Sequence, residues 1–272
     1  SVLLRGNLPK INIICDFRQE IEECFCLDGI MFKGDFCQNE IGDIIRKTSE
    51  KDNTLCEKNI DKNVLIITKE PNISSGSAWD QSVILSEKGA VPILLLSTAL
   101  IKELLYIYGL KNILDSPAKF IEFENIPKEK ISETIDPYSF ARINLKKNMG
   151  TGKADDRNVL AEAKVYKDDL KSQIENINPR IIICCSNSND KNMILEEFLN
   201  NNVYKFEWTD CEGIWIDKER SKIAIDTYHL SYFGIYNGNQ KYDDKACYDS
   251  IVKRLSGYLY KHPDFLLYGR IK

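Results

Sequence analysis

An acid, an amide and an imidazole occupy comparable points of this 272-residue chain. Glu70 lies in the run 64–72 (VLIITKEPN), Asn144 in 140–147 (FARINLKK) and His229 in 221–233 (SKIAIDTYHLSYF). A fourth run, 179–186 (PRIIICCS), has the same build, an apolar stretch that turns polar at its C-terminal side. A carboxylate can orient water and stabilise a developing cation. A side-chain amide carries both donor and acceptor, which suits it to reading a heterocycle edge. A neutral imidazole can stabilise negative charge on a departing group where that charge develops, in the transition state.

The elements that must position these groups follow from the apolar pattern. Runs 64–68 and 181–185 are continuous and apolar, as expected of strands covered on both faces, and 140–145 is a third strand candidate. Residues 208–216 and 222–226 read as adjacent strands joined by a turn at 217–221. Helices are predicted over 94–108 and over 159–177, the latter with Leu160, Val165, Leu170 and Ile174 inward and ended by Asn178-Pro179. Another is predicted over 188–200, with Met193, Leu195, Phe198 and Leu199 inward and Ser188 or Asn189 as cap. The last spans 246–260, with Ile251, Val252, Leu255 and Leu259 on one face.

Strands alternating with helices predict an α/β fold: three layers, α/β/α, around a central, mainly parallel four-stranded sheet. Ligands of such sheets sit beyond the C-terminal strand ends, which is where Glu70, Asn144 and His229 stand. The chain reads as one domain overall. Residues 64–272 form the α/β unit, and 1–63 are an elaboration packed on it, with a short amphipathic helix over 38–47 carrying Ile41, Ile44 and Ile45.

Net charge is −4 and the pI about 5.5, which argues against a surface coated in positive charge, although the 37 Lys and Arg could still cluster in a groove. Nine Cys, an odd number at irregular spacing, do not make a disulfide framework. Cys184 and Cys185 read as small core residues. Cys15, Cys24, Cys26, Cys37 and Cys56 contain no CxxC pair, and neither metal nor cofactor is expected. No apolar run reaches the ~20 residues that span a bilayer, and no secretory signal is visible. The expectation is a cytoplasmic monomer with no membrane contact.

In order and spacing the four runs resemble the motifs of the uracil-DNA glycosylase superfamily, over about residues 64–235. Thr68-Lys69-Glu70-Pro71 stands where that family has Gly-x-(Asp/Asn/Ala)-Pro. Asn144 stands where an Asn reads the pyrimidine edge, 181–185 where a plain core strand runs, and His229-Leu230-Ser231 where the family has His-Pro-Ser. Thr68 for Gly, Glu70 for Asp or Asn, and Leu230 for Pro are departures. The resemblance implies a glycosylase-like fold and a monofunctional DNA glycosylase whose partner is DNA. Such an enzyme flips a damaged or modified base from the stack and hydrolyses its N-glycosidic bond, in repair or in defence against modified viral DNA.

In that scheme Glu70 positions water, His229 stabilises the leaving base and Asn144 reads its edge, with Pro71 beside them. Asn72 replaces the Tyr that rejects substituents in strict uracil enzymes, which implies a pocket open to a substituted pyrimidine. Trp79 would be the stacking floor, a contact worth ~1–3 kcal/mol. Ser231 and Phe233 would face DNA, with Phe233 as the wedge that fills the vacated stack. Lys146 and Lys147 follow a site strand and could meet phosphates. The bland readings stand beside these: a solvated Glu70, a structural His229, and core roles for Trp79 and Phe233. Two other functions also fit, a non-catalytic nucleotide or nucleic-acid binding module on the same fold and a nucleoside hydrolase. The chain has no Gly-x-Ser-x-Gly elbow for serine chemistry.

Overall fold

Seven strands form one mixed sheet in a computed structural model of the chain. The structure describes residues 26–27, 30–31, 35–38, 44–47, 64–70, 79–80, 98–127, 140–146, 154–188, 191–230, 234–236 and 240–265. In chain order the sheet strands are β1 (Ile30–Met31), β2 (Val64–Thr68), β3 (Phe140–Asn144), β4 (Ile181–Cys185), β5 (Glu207–Trp208), β6 (Ile214–Asp217) and β7 (Lys222–Thr227). Their spatial order is β5-β6-β7-β4-β2-β3-β1. The central four, β7, β4, β2 and β3, are parallel. The edges are antiparallel: β6 on β7, β5 on β6, and β1 on β3. The expected four-stranded sheet is therefore the centre of a larger one.

The central strands are apolar throughout because both faces are covered. Alternate residues sort cleanly to the two sides. Val64, Ile66, Ile181, Ile183, Ile223 and Ile225 share one cluster with Leu110 of helix α1 (Thr98–Asp115) and with Tyr248, Leu255 and Leu259 near the C-terminal end. Leu65, Ile67, Ile143, Ile182, Cys184 and Ala224 share the other with Val159, Leu170, Ile174 and Phe198. Helices thus cover both faces. Cys184 and Cys185 are fully buried, as the sequence suggests.

The helix predicted over 159–177 is two: α2 (Asp156–Val165) and α3 (Lys167–Ile177), which meet at Tyr166. Because of this break the inward residues of α2 are Val159 and Ala163, whereas Leu160 is only partly buried and Val165 is 69% exposed. Leu170 and Ile174 are buried as expected, and Asn178 ends α3 in the left-handed region, φ 48°.

The helix expected over 188–200 starts later. Asn187–Ser188 and Lys191–Asn192 pair as two short antiparallel strands, and the helical turns begin at Met193 with Asn192 as cap. Its side chain accepts from Leu195 N, so Ser188 does not fill that role; Asn189 lies outside the described residues. Ile251, Val252, Leu255 and Leu259 are all buried, on the consecutive helical segments Asp244–Tyr248, Asp249–Lys253 and Arg254–Lys261.

The N-terminal region also departs from expectation. In place of a helix over 38–47, Asp35–Gln38 and Ile44–Lys47 pair as antiparallel strands. Adjacent β-branched Ile44 and Ile45 favour a strand, and Gly42 disfavours a helix interior. Ile30–Met31 adds to the main sheet beside β3, and Cys26–Leu27 pairs with Trp79–Asp80. Residues from this region therefore belong to the same sheet as the core.

One close approach in the core carries a prediction. A Cβ at Gly109 would meet the Tyr248 hydroxyl and lie 2.7 Å from its ring Cε2. The ring cannot step aside, because it is fully buried, packs against Tyr106, Phe120 and Phe123, and donates from its hydroxyl to Ile121 O at 2.8 Å. Gly109→Ala is expected to destabilise the fold by about 1–3 kcal/mol, although alanine gains up to ~1 kcal/mol in helix propensity. Urea denaturation measures the balance, and a stabilised variant would contradict this packing.

Candidate functional site

The parallel register places four polar residues level with one another. Thr68 pairs with Asn144, Ile67 with Cys184, and Cys185 with Thr227. Counting on from these pairs, Lys146, Glu70, Asn187 and His229 each lie two residues beyond the end of a central strand. They form a row along the C-terminal edge in the order Lys146, Glu70, Asn187, His229. At ~4.8 Å per strand, the strand that leads to His229 runs about 10 Å from the one that leads to Glu70.

At one end of the row the pairing of β2 and β3 continues past the strands, with Leu145 N donating to Thr68 O and Lys146 N to Lys69 O. This brings Lys146 Nζ to 2.9 Å from Glu70 Oε2. The Glu70 side chain is 6% exposed and that of Lys146 is 17%, so the pair is largely withdrawn from water. Glu70 is thus no solvated loop carboxylate. Lys146, expected to face phosphates, has this carboxylate as a partner. Beside them Lys69 bridges Asp156 at 2.6 Å, which ties the strand end to the start of α2.

Asn144 sits beneath this pair, 1% exposed. Thr68 donates to its Oδ1 at 2.5 Å. The Thr68 hydroxyl therefore orients the amide.

On the other side, Thr227, Tyr242 and Ser250 form a buried triangle of hydroxyls at 3.0–3.1 Å, and Tyr228 packs edge-on against Tyr242. Burial pushes the Tyr242 hydroxyl well above the ordinary phenol range. His229 follows this anchored strand end and is partly exposed. The other histidine, His262, lies 3.5 Å from Asp210 and packs against the Tyr258 ring.

Between the two sides lies a polar cluster that the sequence reading passed over. Asp226 Oδ1 accepts from Asn192 Nδ2 at 2.7 Å and from Asn187 Nδ2 at 2.9 Å. Asn192 Nδ2 also reaches Cys184 O at 2.8 Å, and Ser186 Oγ donates to Asn192 Oδ1 at 2.5 Å. Two signals were present in the sequence. Asp226 is an acid inside an otherwise apolar strand, and Ser186-Asn187 follow β4 at the positions where Lys69-Glu70 follow β2.

Desolvation, partly opposed by the bonds from Asn192 and Asn187, holds the Asp226 carboxyl above its ordinary pKa. The folded state therefore binds this proton more tightly than the unfolded chain. Its contribution to stability is full below pH ~4 and is lost as pH rises through the raised folded value. Asp226→Asn removes this component, so the stability of wild type minus variant should fall with rising pH in that window. Urea titrations from pH 4 to 7 measure it, and a flat difference would contradict the assignment. Beside Asp226, burial pushes the Cys184 thiol up, which leaves it an inert core group.

No protein-family model matches the chain, and searches of curated proteins and of solved structures find no match either.

Of the residues singled out from sequence, Glu70, Lys146, Asn144 and His229 share the C-terminal sheet edge. Trp79 lies on the short strand Trp79–Asp80 beside Cys26–Leu27. Pro71, Asn72, Lys147, Ser231 and Phe233 lie outside the described residues. Among the described residues, no three His, Cys, Asp or Glu side chains gather as a metal site, and no helix is long and apolar enough to cross a membrane.

Proposed function

We propose that the protein is a DNA glycosylase on a glycosylase-like α/β scaffold, which hydrolyses the N-glycosidic bond of a flipped, modified pyrimidine. The observation that carries this reading is the level row of Glu70 and His229 with Asn144 one step below. It offers an acid, an imidazole and an oriented amide at the edge where parallel sheets bind ligands. N-glycosidic cleavage puts positive charge on the sugar and negative charge on the base. A carboxylate and an imidazole held on strand ends ~10 Å apart meet those two demands from opposite sides. Lys146 holds the Glu70 carboxylate in place. The test is a gel assay for abasic product on duplexes that carry a panel of modified bases. Product from at least one five-substituted pyrimidine is expected; none from any, with folded protein, would overturn the reading.

The Thr68 hydroxyl on Asn144 Oδ1 favours a second reading, a non-catalytic module that binds nucleotides or nucleic acid, because it turns the amide oxygen toward the protein. Equilibrium binding to the same duplexes without turnover would support that alternative.

A further inference from the structure

We propose that Asn200 shuts the β5 edge of the sheet against strand addition, and that the strand it excludes is β5 of a second copy of this chain. β5 is an outer strand of the seven-stranded sheet, and its residues Glu207 and Trp208 are both exposed. Which backbone groups point outward follows from the pairing with β6. Thr209 N donates to Ile214 O at 3.2 Å, so these two residues form a hydrogen-bonded pair. Bonded and non-bonded pairs alternate along antiparallel strands, which makes Trp208, opposite Trp215, a non-bonded position. The close packing of the two rings, 4.1 Å between centroids, fits that assignment. Trp208 therefore turns its N–H and C=O away from β6, and Phe206, two residues earlier, does the same.

At Phe206 both outward groups are taken. Asn200 Oδ1 accepts from Phe206 N at 2.8 Å, and Asn200 Nδ2 donates to Phe206 O at 3.3 Å. One side-chain amide thus offers what a neighbouring antiparallel strand offers at a bonded position, an acceptor and a donor side by side. The next two amides, Asn201 and Asn202, donate back to Glu196 O, Glu197 O and Phe198 O, whereas Asn200 reaches forward to the edge. An open edge is a template for another chain. Every copy of this chain carries the same edge, and its outward groups at 206 and 208 match one another about a two-fold axis. That pairing sets Phe206 of one copy opposite Trp208 of the other and Glu207 opposite itself. Like charges directly opposite weaken it, although Lys218, 3.6 Å from Glu207, offsets part of the repulsion. Glu207 is therefore a second and weaker obstacle behind Asn200.

Two measurements on the full chain test this. In wild-type hydrogen exchange, the Phe206 amide is expected to exchange at least about 10-fold more slowly than the Trp208 amide. In analytical ultracentrifugation, Asn200→Ala combined with Glu207→Thr is expected to dimerise with a Kd of about 100 μM or lower, at least about 10-fold tighter than wild type or Glu207→Thr alone. Adding Trp208→Pro to the double variant removes an outward N–H but no bond to β6, and should restore the monomer. Asn200→Ser, too short to span both groups of Phe206, takes the place of the alanine variant if that one does not fold. Three results would overturn the proposal: a Phe206 amide that exchanges as fast as that of Trp208, a double variant no more associated than Glu207→Thr, or a dimer that persists with Trp208→Pro. In each case Asn200 would be no more than a staple within its own turn.

Discussion

Glu70→Gln is expected to lower single-turnover base excision by about 10²–10⁴-fold, the range that a positioned acid–base group supplies. Glutamine keeps the shape and one carbonyl oxygen within reach of Lys146. It loses the charge that would stabilise a sugar cation and the ability to take a proton from water. The ion pair makes the experiment more informative. Lys146 Nζ and Glu70 Oε2 lie 2.9 Å apart, and both side chains are mostly buried. Truncating one partner of such a pair takes that compensation from the other charge, at a cost of up to about 3–5 kcal/mol. Lys146→Met should therefore destabilise the fold, and Glu70→Gln combined with Lys146→Met should recover part of that loss without recovering activity. His229→Ala is expected to slow excision by about 10²–10³-fold, the scale of removing one group that stabilises a developing anion. If both single variants excise at the wild-type rate, neither residue is catalytic and the row is only a binding surface.

The legible part of this molecule is the part in which burial dictates residue type. Runs such as VLIIT and IIICC admit few residues other than β-branched and small apolar ones, because both faces of a central strand are covered. They gave the parallel core directly. The strand ends could be read for the same reason, since an apolar run must stop where the sheet stops. The boundaries of α2 and α3 were not legible, because the break at Tyr166 is a backbone event with no Gly or Pro to mark it. The strand character of 35–38 and 44–47 was hidden by isoleucine spacing that suits a short helix equally well. Within the site, Glu70, Asn144 and His229 stood out as polar residues after apolar runs. Asn187 has the same placement but lies in the polar stretch SNSND, where one more amide reads as a loop. Its bond to Asp226 joins it to a residue thirty-nine positions away. No one-dimensional pattern carries that information.

Asn192→Ala is expected to cost about 3–5 kcal/mol. Asn192 is fully buried, and its side chain alone joins β4, β7 and the helical turns that follow. Its loss would strip a donor from Cys184 O, an acceptor from Leu195 N, and one of the two side-chain amides that bond to Asp226 Oδ1. Asn192→Asp provides the contrast. Aspartate can still accept from Leu195 N and Ser186, but it sets a second carboxylate against Asp226 at hydrogen-bonding distance. Two such groups cannot both ionise cheaply, so this variant should be least stable near neutrality and should recover on acidification, as one proton comes to be shared. Urea denaturation at pH 7 and pH 4.5 separates the cases: the alanine loss should be large at both, the aspartate loss much larger at pH 7. A loss below about 1 kcal/mol for Asn192→Ala, the range of an ordinary surface change, would mean that the cluster does not hold the strand ends together.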